Sequence, residues 1–229
     1  ILAQAYVLGH LIDTSTSAMK AALWAGVFIV SSAVLAQAEH ECPSYDSIAQ
    51  LSVKPPHFNL EDFMGEWYLM ATSEPTLPQF CTCTKPVWTL DSSAWPQQYH
   101  YIVTSHCLNQ SMSFTFKGEA RDAQRPGSLM ENAAFFNHSI AQYVPHMIYD
   151  VEQTADGNTI GFSYACLGNI LGHKLFSFNV FARRPSLSPE TIMELVLKKN
   201  LATGNVLKTD GIRVTDSNMC GWTSDGLMI

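Results

Sequence analysis

Between Trp67 and Arg183 the sequence is divided into short segments of β-strand composition, and this repetition limits the fold more than any other feature. The candidate strands are Glu66–Ala71, Thr82–Leu90, Tyr99–Cys107, Met112–Ala120, Leu129–Phe136, His146–Gln153, Thr159–Cys166 and Lys174–Ala182. Clusters rich in glycine, proline, serine and asparagine separate them and predict turns. About eight antiparallel strands at this spacing predict an all-β protein, either a sandwich or an up-and-down barrel.

One helix is predicted after the last strand. Ser188 is a suitable N-cap, and Pro189 occupies the first helical position. Ile192, Leu195 and Val196 then form an apolar stripe at helical spacing. The stripe predicts that this C-terminal helix packs against the outside of the sheet.

The segment before the strands has the pattern of an export signal. Residues 19–38 contain a basic residue, an uncharged apolar run and an Ala-Gln-Ala cleavage site. A membrane helix is the alternative, but the apolar run is short for a span of about 20 residues. Residues 1–18 contain no methionine and are either a longer leader or translated upstream sequence. We therefore expect residues 1–38 to be removed and residues 39–229 to form one secreted domain without a transmembrane segment.

Charge and cysteine content narrow the class of partner. The formal net charge of −7 argues against nucleic acid and anionic membranes. Six cysteines in an exported chain predict three disulfides rather than a metal site. Asn109 and Asn137 begin N-glycosylation sequons, which agree with secretion.

The second and third candidate strands form a hairpin whose register can be predicted. If the chain turns about Ala94, Trp88 lies opposite His100 and Cys81 lies opposite Cys107. Because side chains alternate between faces, even-numbered residues of these strands and of the next one share the expected interior. They are Trp88, His100, Ile102, Thr104, His106, Met112, Phe114 and Phe116. The outer face carries three cysteines: Cys81, Cys83 and Cys107.

Two motifs at opposite ends of the strand region resemble the lipocalin family. Gly65-Glu66-Trp67-Tyr68 is similar to the G-x-W motif of the first lipocalin strand, and Phe181–Ile192 resembles the last-strand motif, with Arg183 as its arginine. The likeness is strongest to apolipoprotein D and to invertebrate lipocalins of the crustacyanin and bilin-binding type. Further similar segments follow in the same order: Cys42-Pro43, Cys83–Leu90, Lys117–Ala120, Tyr164–Cys166 and Val214–Cys220.

The resemblance implies an eight-stranded barrel, the lipocalin calyx, with one end closed by Trp67 and Arg183. It also implies the disulfides Cys42–Cys166 and Cys83–Cys220, which leaves Cys81 for Cys107. An exchange of Cys81 and Cys83 stays open, since both are expected to point the same way. Two positions depart from apolipoprotein D: Asn179 replaces a pocket tryptophan, and His106 replaces an acidic pocket residue. The ligand therefore does not follow from the resemblance.

The function that the resemblance implies is the binding and transport of a small hydrophobic ligand, since an eight-stranded barrel holds one such molecule. The expected ligand-binding residues are Trp88, His100, Ile102, Thr104, His106, Met112, Phe114, Phe116, Phe162, Tyr164, Leu175 and Asn179. Inward histidines and an asparagine suit a neutral carbonyl or hydroxyl group, as on a carotenoid, a related isoprenoid or a sterol. No obligatory cofactor is expected, and homo- or hetero-oligomers are a further expectation for any apolar surface that the helix leaves uncovered.

Three other classes of function are alternatives. A lipocalin-fold enzyme acting on a lipid or carotenoid would need a free cysteine of low pKa. Every cysteine here has an expected partner, and no catalytic residue set is recognised in the sequence. A haem or bilin carrier, or a metal-binding protein, would use His106 or His100. A protein-inhibiting or purely structural lipocalin would fill the calyx with its own side chains.

Overall fold

The computed structural model describes residues 50, 58–74, 77–121, 124–135, 138–170, 173–202 and 211–223. All of them belong to one compact unit, Cys42–Ile229. The predicted leader, Cys42 and Asn137 lie outside the described residues, as do the side chains of Cys166 and Leu175.

Within the described residues, the structure is a single antiparallel sheet with two short helical elements and one longer helix near its C-terminal end. The strands are β1 (Gly65–Glu66), β2 (Tyr68–Thr72), β3 (Thr84–Leu90), β4 (His100–Cys107), β5 (Met112–Ala120), β6 (Ser128–Phe135), β7 (His138–Gln153), β8 (Thr159–Ile170), β9 (His173–Ala182) and β10 (Arg213–Val214). The helices are α1 (Leu60–Phe63) and α2 (Pro189–Ala202), and a 3₁₀ turn covers Gln97–Tyr99. No helix among these is long and apolar enough to cross a membrane.

The N-terminal strand segment joins the two edges of the sheet. The strand order is β1-β3-β4-β5-β6-β7-β8-β9-β2-β10, so β1 pairs with one edge and β2 with the other. Trp67 lies between β1 and β2, and its backbone N–H donates to the carbonyl of Pro86 at 2.9 Å. Gly65 enters this bend with φ of +101°, a conformation that favours glycine. The sheet therefore curls into a barrel, as predicted.

The strand count differs from the predicted eight for two reasons. The first predicted strand is divided at Trp67 into β1 and β2, and the short strand β10 adds to the edge of β2. Thr215 follows β10, and its backbone N–H donates to the carbonyl of Met70 at 2.8 Å. Both additions extend the predicted barrel without changing its class.

Apolar side chains pack on both faces of the sheet. The inner cluster includes Phe63, Trp67, Trp88, Tyr101, Leu129 and Phe181. The outer cluster lies beneath α2 and includes Tyr68, Phe162, Tyr164, Phe178, Val180 and Trp222. In β8 and β9 the large apolar residues alternate with smaller or polar ones: Phe162, Tyr164, Phe178 and Val180 belong to the outer cluster, whereas Ala165, Ser177 and Asn179 face the interior.

Helix α2 begins and packs as predicted. The Ser188 hydroxyl accepts from the backbone N–H of Thr191 at 3.3 Å, as an N-cap does. Ile192 and Val196 are buried, and Leu195 packs against the outer cluster. Phe178 and Val180 of β9 are fully buried in the outer cluster, so these two residues offer no surface to a partner.

A bulge in β7 directs two acidic residues towards α2. Pairing with β8 shifts between Ile148 and Asp150, so that Tyr149 and Asp150 both lie on the helix side. The ammonium of Lys199 contacts Asp150 and lies 2.6 Å from Glu152. Lys199, in the last turn of α2, therefore forms a buried ionic contact between the helix and the barrel.

Replacing Lys199 by methionine is expected to lower the free energy of unfolding by about 2 kcal/mol, because two carboxylates lose their cation. The loss is smaller than for a fully buried pair, since Asp150 and Glu152 remain 35% and 27% exposed. Urea denaturation followed by circular dichroism measures it. Lys198→Met on the exposed side of the same turn is the control, with an expected change below about 0.5 kcal/mol. Equal losses in the two variants would contradict the role assigned to Lys199.

The same contact has a defined pH dependence. Burial disfavours the charged ammonium, but hydrogen bonds to Asp150 and Glu152 outweigh this and raise the pKa of Lys199. A lysine with a raised pKa stabilises the folded state below its unfolded pKa of about 10.4 and loses this effect as the pH passes through the higher folded value. The stability difference between wild type and Lys199→Met should therefore persist at neutral pH and narrow above about pH 10.4.

Candidate functional site

The curled sheet encloses a cavity of about 1050 Å³. Its wall is mainly apolar and includes Leu69, Trp88, Val103, Phe114, Phe116 and Phe181. Polar side chains on the wall include Thr84, Ser105, Glu131, His146, Ser177 and Asn179. A cavity of this size and composition is typical of sites for small hydrophobic molecules.

One end of the barrel is filled by a stack of aromatic rings and an arginine. Phe63 stacks on Trp67 with ring centroids 4.5 Å apart, and the guanidinium carbon of Arg183 lies 3.8 Å above the Trp67 ring. The Trp67 indole donates to the carbonyl of Phe63 at 2.8 Å. Gly161 leaves room for this stack, because an added Cβ would lie 2.9 Å from the Phe63 ring. Trp67 and Arg183 therefore close the barrel in the arrangement that the resemblance implies.

The other end of the cavity opens towards solvent. Phe80 and Met112 line the cavity and are 52% and 40% exposed, respectively. Asn109, a predicted glycosylation site, lies beside them, and its side-chain amide donates to the carbonyl of Phe80 at 2.6 Å. A ligand would enter between these two apolar side chains.

The structure forms two disulfides in its described part, Cys81–Cys107 and Cys83–Cys220, and leaves no cysteine there free. These are the pairs that the sequence analysis favoured, and the exchange of Cys81 with Cys83 does not occur. Cys83 belongs to the outer cluster, as predicted. The Cys81 sulfur instead lies 3.3 Å from the Thr84 hydroxyl on the cavity wall, so the outer-face prediction for Cys81 and Cys107 is wrong.

The predicted register of the β3–β4 hairpin is wrong by three residues. Trp88 pairs with Val103 rather than with His100, because the connection is longer than a turn about Ala94. Asp91 begins this connection by accepting from Ser93, and the 3₁₀ turn at Gln97–Tyr99 ends it. An odd shift exchanges the two faces of a strand. Val103 and Ser105 consequently line the cavity.

Four predicted ligand-binding residues of β4 lie away from the cavity for this reason: His100, Ile102, Thr104 and His106. His100 lies 4.0 Å from Glu119, and His106 shares a 2.9 Å hydrogen bond with the Ser113 hydroxyl. A haem or bilin site at either histidine therefore has no counterpart inside the barrel.

The structure places Met112, Phe114 and Phe116 on the cavity wall, where the sequence analysis expected them. Odd-numbered residues of β4 pair with even-numbered residues of β5, as Cys107 does with Met112. Strand β5 therefore presents the expected even-numbered face to the cavity, even though β4 presents its odd-numbered face.

The remaining predicted contacts divide between the two faces. Phe162 and Tyr164 belong to the outer cluster beneath α2, whereas Trp88 and Asn179 line the cavity. The Asn179 amide is fully engaged: its oxygen accepts from Thr72 at 2.7 Å, and its nitrogen donates to Ser177 at 2.8 Å. Asn179 thus ties β2 to β9 and has little hydrogen-bonding capacity left for a ligand.

A polar group that the sequence analysis missed lies inside the cavity. His146 is 6% exposed, and its Nδ1 is 2.7 Å from Oε2 of Glu131. The hydroxyl of Tyr101 donates to Oε1 of Glu131 at 2.9 Å, and burial together with the Glu131 charge raises the pKa of Tyr101. The face of His146 was indicated by the sequence, because Val144, His146 and Ile148 occupy every second position and Met147 and Tyr149 lie on the opposite face. Only pairing across β6 and β7 brings Glu131 to His146.

The chain is similar in fold to several solved structures. Lobster apocrustacyanin A1 is 16% identical, with a TM-score of 0.49 over 76% of this chain and 86% of the other. H1 crustacyanin from the lobster Homarus americanus is 15% identical, with a TM-score of 0.47 over the same shares. Insecticyanin from the tobacco hornworm Manduca sexta is 16% identical, with a TM-score of 0.48 over 72% and 84%. No family model matches the sequence, and no curated protein matches it.

The strand order, the Trp67–Arg183 closure and the helix after β9 together define the class. The chain has the lipocalin fold, a curled antiparallel sheet with one helix near the C-terminus.

Proposed function

We propose that this protein binds and carries one small hydrophobic ligand inside its barrel. The observation that supports the proposal is the cavity of about 1050 Å³ with an apolar wall, one closed end and one open end. Burial of a ligand there contributes about 25 cal/mol for each Å² of apolar surface, less the cost of ordering. Micromolar to nanomolar affinity is expected.

The ligand that suits this wall is uncharged and carries a polar group at one end. Glu74 and Glu131 are the charged side chains among the described residues that line the cavity, and neither lysine nor arginine is among them. A carboxylate ligand would therefore be repelled. A carotenoid, a similar isoprenoid or a sterol fits this requirement, and a secreted carrier agrees with the disulfides.

Identification of the native ligand tests the proposal. Protein purified from its natural source should yield one dominant hydrophobic molecule on organic extraction, identified by mass spectrometry, and its absorption spectrum shows whether that molecule is a pigment. Native mass spectrometry before extraction should show a stoichiometry of one. A protein that carries no ligand, and that binds no hydrophobic probe after extraction, would overturn the proposal.

Filling the cavity is expected to abolish binding. Ser105 and Ala165 line it from β4 and β8, four strands apart in the sheet order. The double variant Ser105→Trp/Ala165→Trp should lower ligand affinity at least about tenfold, because two indoles occupy the ligand's volume. Equilibrium dialysis of the extracted ligand measures this change.

The control for cavity filling places the same side chains outside the barrel. Leu197 and Leu201 on α2 are 56% and 68% exposed. Leu197→Trp/Leu201→Trp should bind as wild type does. Unchanged affinity in the cavity variant would show that the ligand binds elsewhere.

A further inference from the structure

Three buried polar atoms on the cavity wall lack hydrogen-bond partners within the described structure. They are Nε1 of Trp88 and both ring nitrogens of His146. Trp88 is 2% exposed and His146 is 6% exposed, so bulk solvent satisfies none of these atoms. Buried polar groups in folded proteins are nearly always paired, and unpaired ones in a cavity mark a place for a water or a ligand atom.

The neighbours of His146 determine which kind of partner its free nitrogen requires. Nδ1 lies 2.7 Å from the Glu131 carboxylate, although the angle is poor for a hydrogen bond. A bare nitrogen lone pair would repel a carboxylate oxygen at that distance, so we assign the ring proton to Nδ1. In a neutral imidazole, Nε2 is then an acceptor that faces no donor.

Trp88 supplies the opposite requirement close by. Its ring stacks on Tyr101 at 5.0 Å and lies 6.1 Å from the His146 ring, measured between centroids. The indole N–H is a donor only. The inner part of the cavity thus presents one unpaired donor and one unpaired acceptor on neighbouring rings.

We propose that this pair recognises a hydroxyl group on an otherwise apolar ligand. A hydroxyl donates to Nε2 of His146 and accepts from Nε1 of Trp88, whereas a ketone or an ether only accepts. A carboxylate is excluded by the charge of Glu131. A water would fill the same role in the free protein, and the ligand hydroxyl would replace it with equivalent hydrogen bonds. This inference rests on the proposed carrier function and specifies its ligand as an alcohol.

A matched series of four probes separates these chemistries: geranylgeraniol, its aldehyde, its methyl ether and its acid. Equilibrium dialysis with mass-spectrometric quantification gives the dissociation constant of each. Geranylgeraniol should bind about tenfold more tightly than the methyl ether, which corresponds to one net hydrogen bond. The aldehyde should bind less tightly than the alcohol, and the acid should bind most weakly of the four.

Two variants assign the preference to the proposed atoms. His146→Phe should remove the difference in affinity between the alcohol and the ether. Trp88→Phe should weaken the alcohol, the aldehyde and the ether alike, since all three accept from the indole N–H. The control is His100→Phe, which disrupts a histidine–glutamate pair outside the cavity and should leave the alcohol preference intact. Circular dichroism verifies that each variant is folded.

The outcomes distinguish this inference from the carrier function. Equal affinity for alcohol and ether in the wild type, or an alcohol preference that survives in His146→Phe, would overturn the hydroxyl site and leave the carrier function standing. If none of the four probes bound, the hydroxyl site would be overturned for isoprenoid alcohols. If the native protein also yielded no ligand, the carrier proposal itself would fail.

Discussion

Replacing both Cys83 and Cys220 by alanine is expected to lower the free energy of unfolding by about 4 kcal/mol. The disulfide joins residues 137 positions apart, and it restricts the unfolded chain strongly because the closed loop is long. In the folded state the disulfide joins the segment after α2 to the start of β3. Trp222 of this segment packs on Tyr68, with ring centroids 4.8 Å apart. Urea denaturation monitored by tryptophan fluorescence measures the loss.

The other disulfide in the described structure is the matched control. Cys81 and Cys107 are only 26 positions apart, so the chain-entropy difference between the two loops is about 1.5 kcal/mol. Cys81→Ala/Cys107→Ala should therefore be the more stable double variant by about that amount. If it were the less stable one, native packing at the barrel mouth would outweigh loop length.

Arg183→Met is expected to lower the free energy of unfolding by about 3 kcal/mol. The Arg183 guanidinium lies over the Trp67 ring and donates to three carbonyls of the segment that closes the barrel: Asp62 at 2.9 Å, Met64 at 2.7 Å and Glu66 at 2.9 Å. Methionine retains an apolar stem but supplies neither the charge nor the donors. Urea denaturation gives the stability, and near-ultraviolet circular dichroism reports on the packing of Trp67.

The neighbouring arginine provides the comparison for this variant. Arg184 pairs with Asp156 at 3.3 Å, and both side chains are largely exposed. Arg184→Met should cost less than about 1 kcal/mol, as exposed ion pairs usually do. Comparable losses for the two arginines would show that the contacts of Arg183 with Trp67 and the three carbonyls are not what closes the barrel.

Most of the fold could be predicted because its signals are local. The turn residues mark most ends of the strands from β3 to β9, although β7 begins at His138, eight residues before the predicted His146. Ser188 with Pro189 marks the start of α2. The closed end could also be predicted, since Trp67 and Arg183 belong to short recognisable motifs. Each of these features depends on residues that are adjacent or a few positions apart.

Much less of the candidate site could be predicted, because the strand register decides which side chains face the cavity. A face assignment in a strand changes with any odd displacement. The longer connection after β3 moved His100 and His106 out of the cavity. The pairing of β6 with β7 placed His146 beside Glu131 inside it. The alternation within β4 does not reveal the shifted register, and the alternation within β7 indicates the face of His146 but not its neighbour Glu131.

The sequence by itself determined an all-β fold of antiparallel strands followed by a helix capped at Ser188, and its resemblance to lipocalins implied a barrel with one end closed by Trp67 and Arg183. Only the tertiary structure decided which side chains line the cavity and which cysteine pairs with Cys220. It also showed that His146 and Trp88 present unpaired atoms there. The physical reason is that strand formation follows the chain locally. Which face a side chain occupies is set by loop lengths and bulges, and these take effect only when distant strands pair.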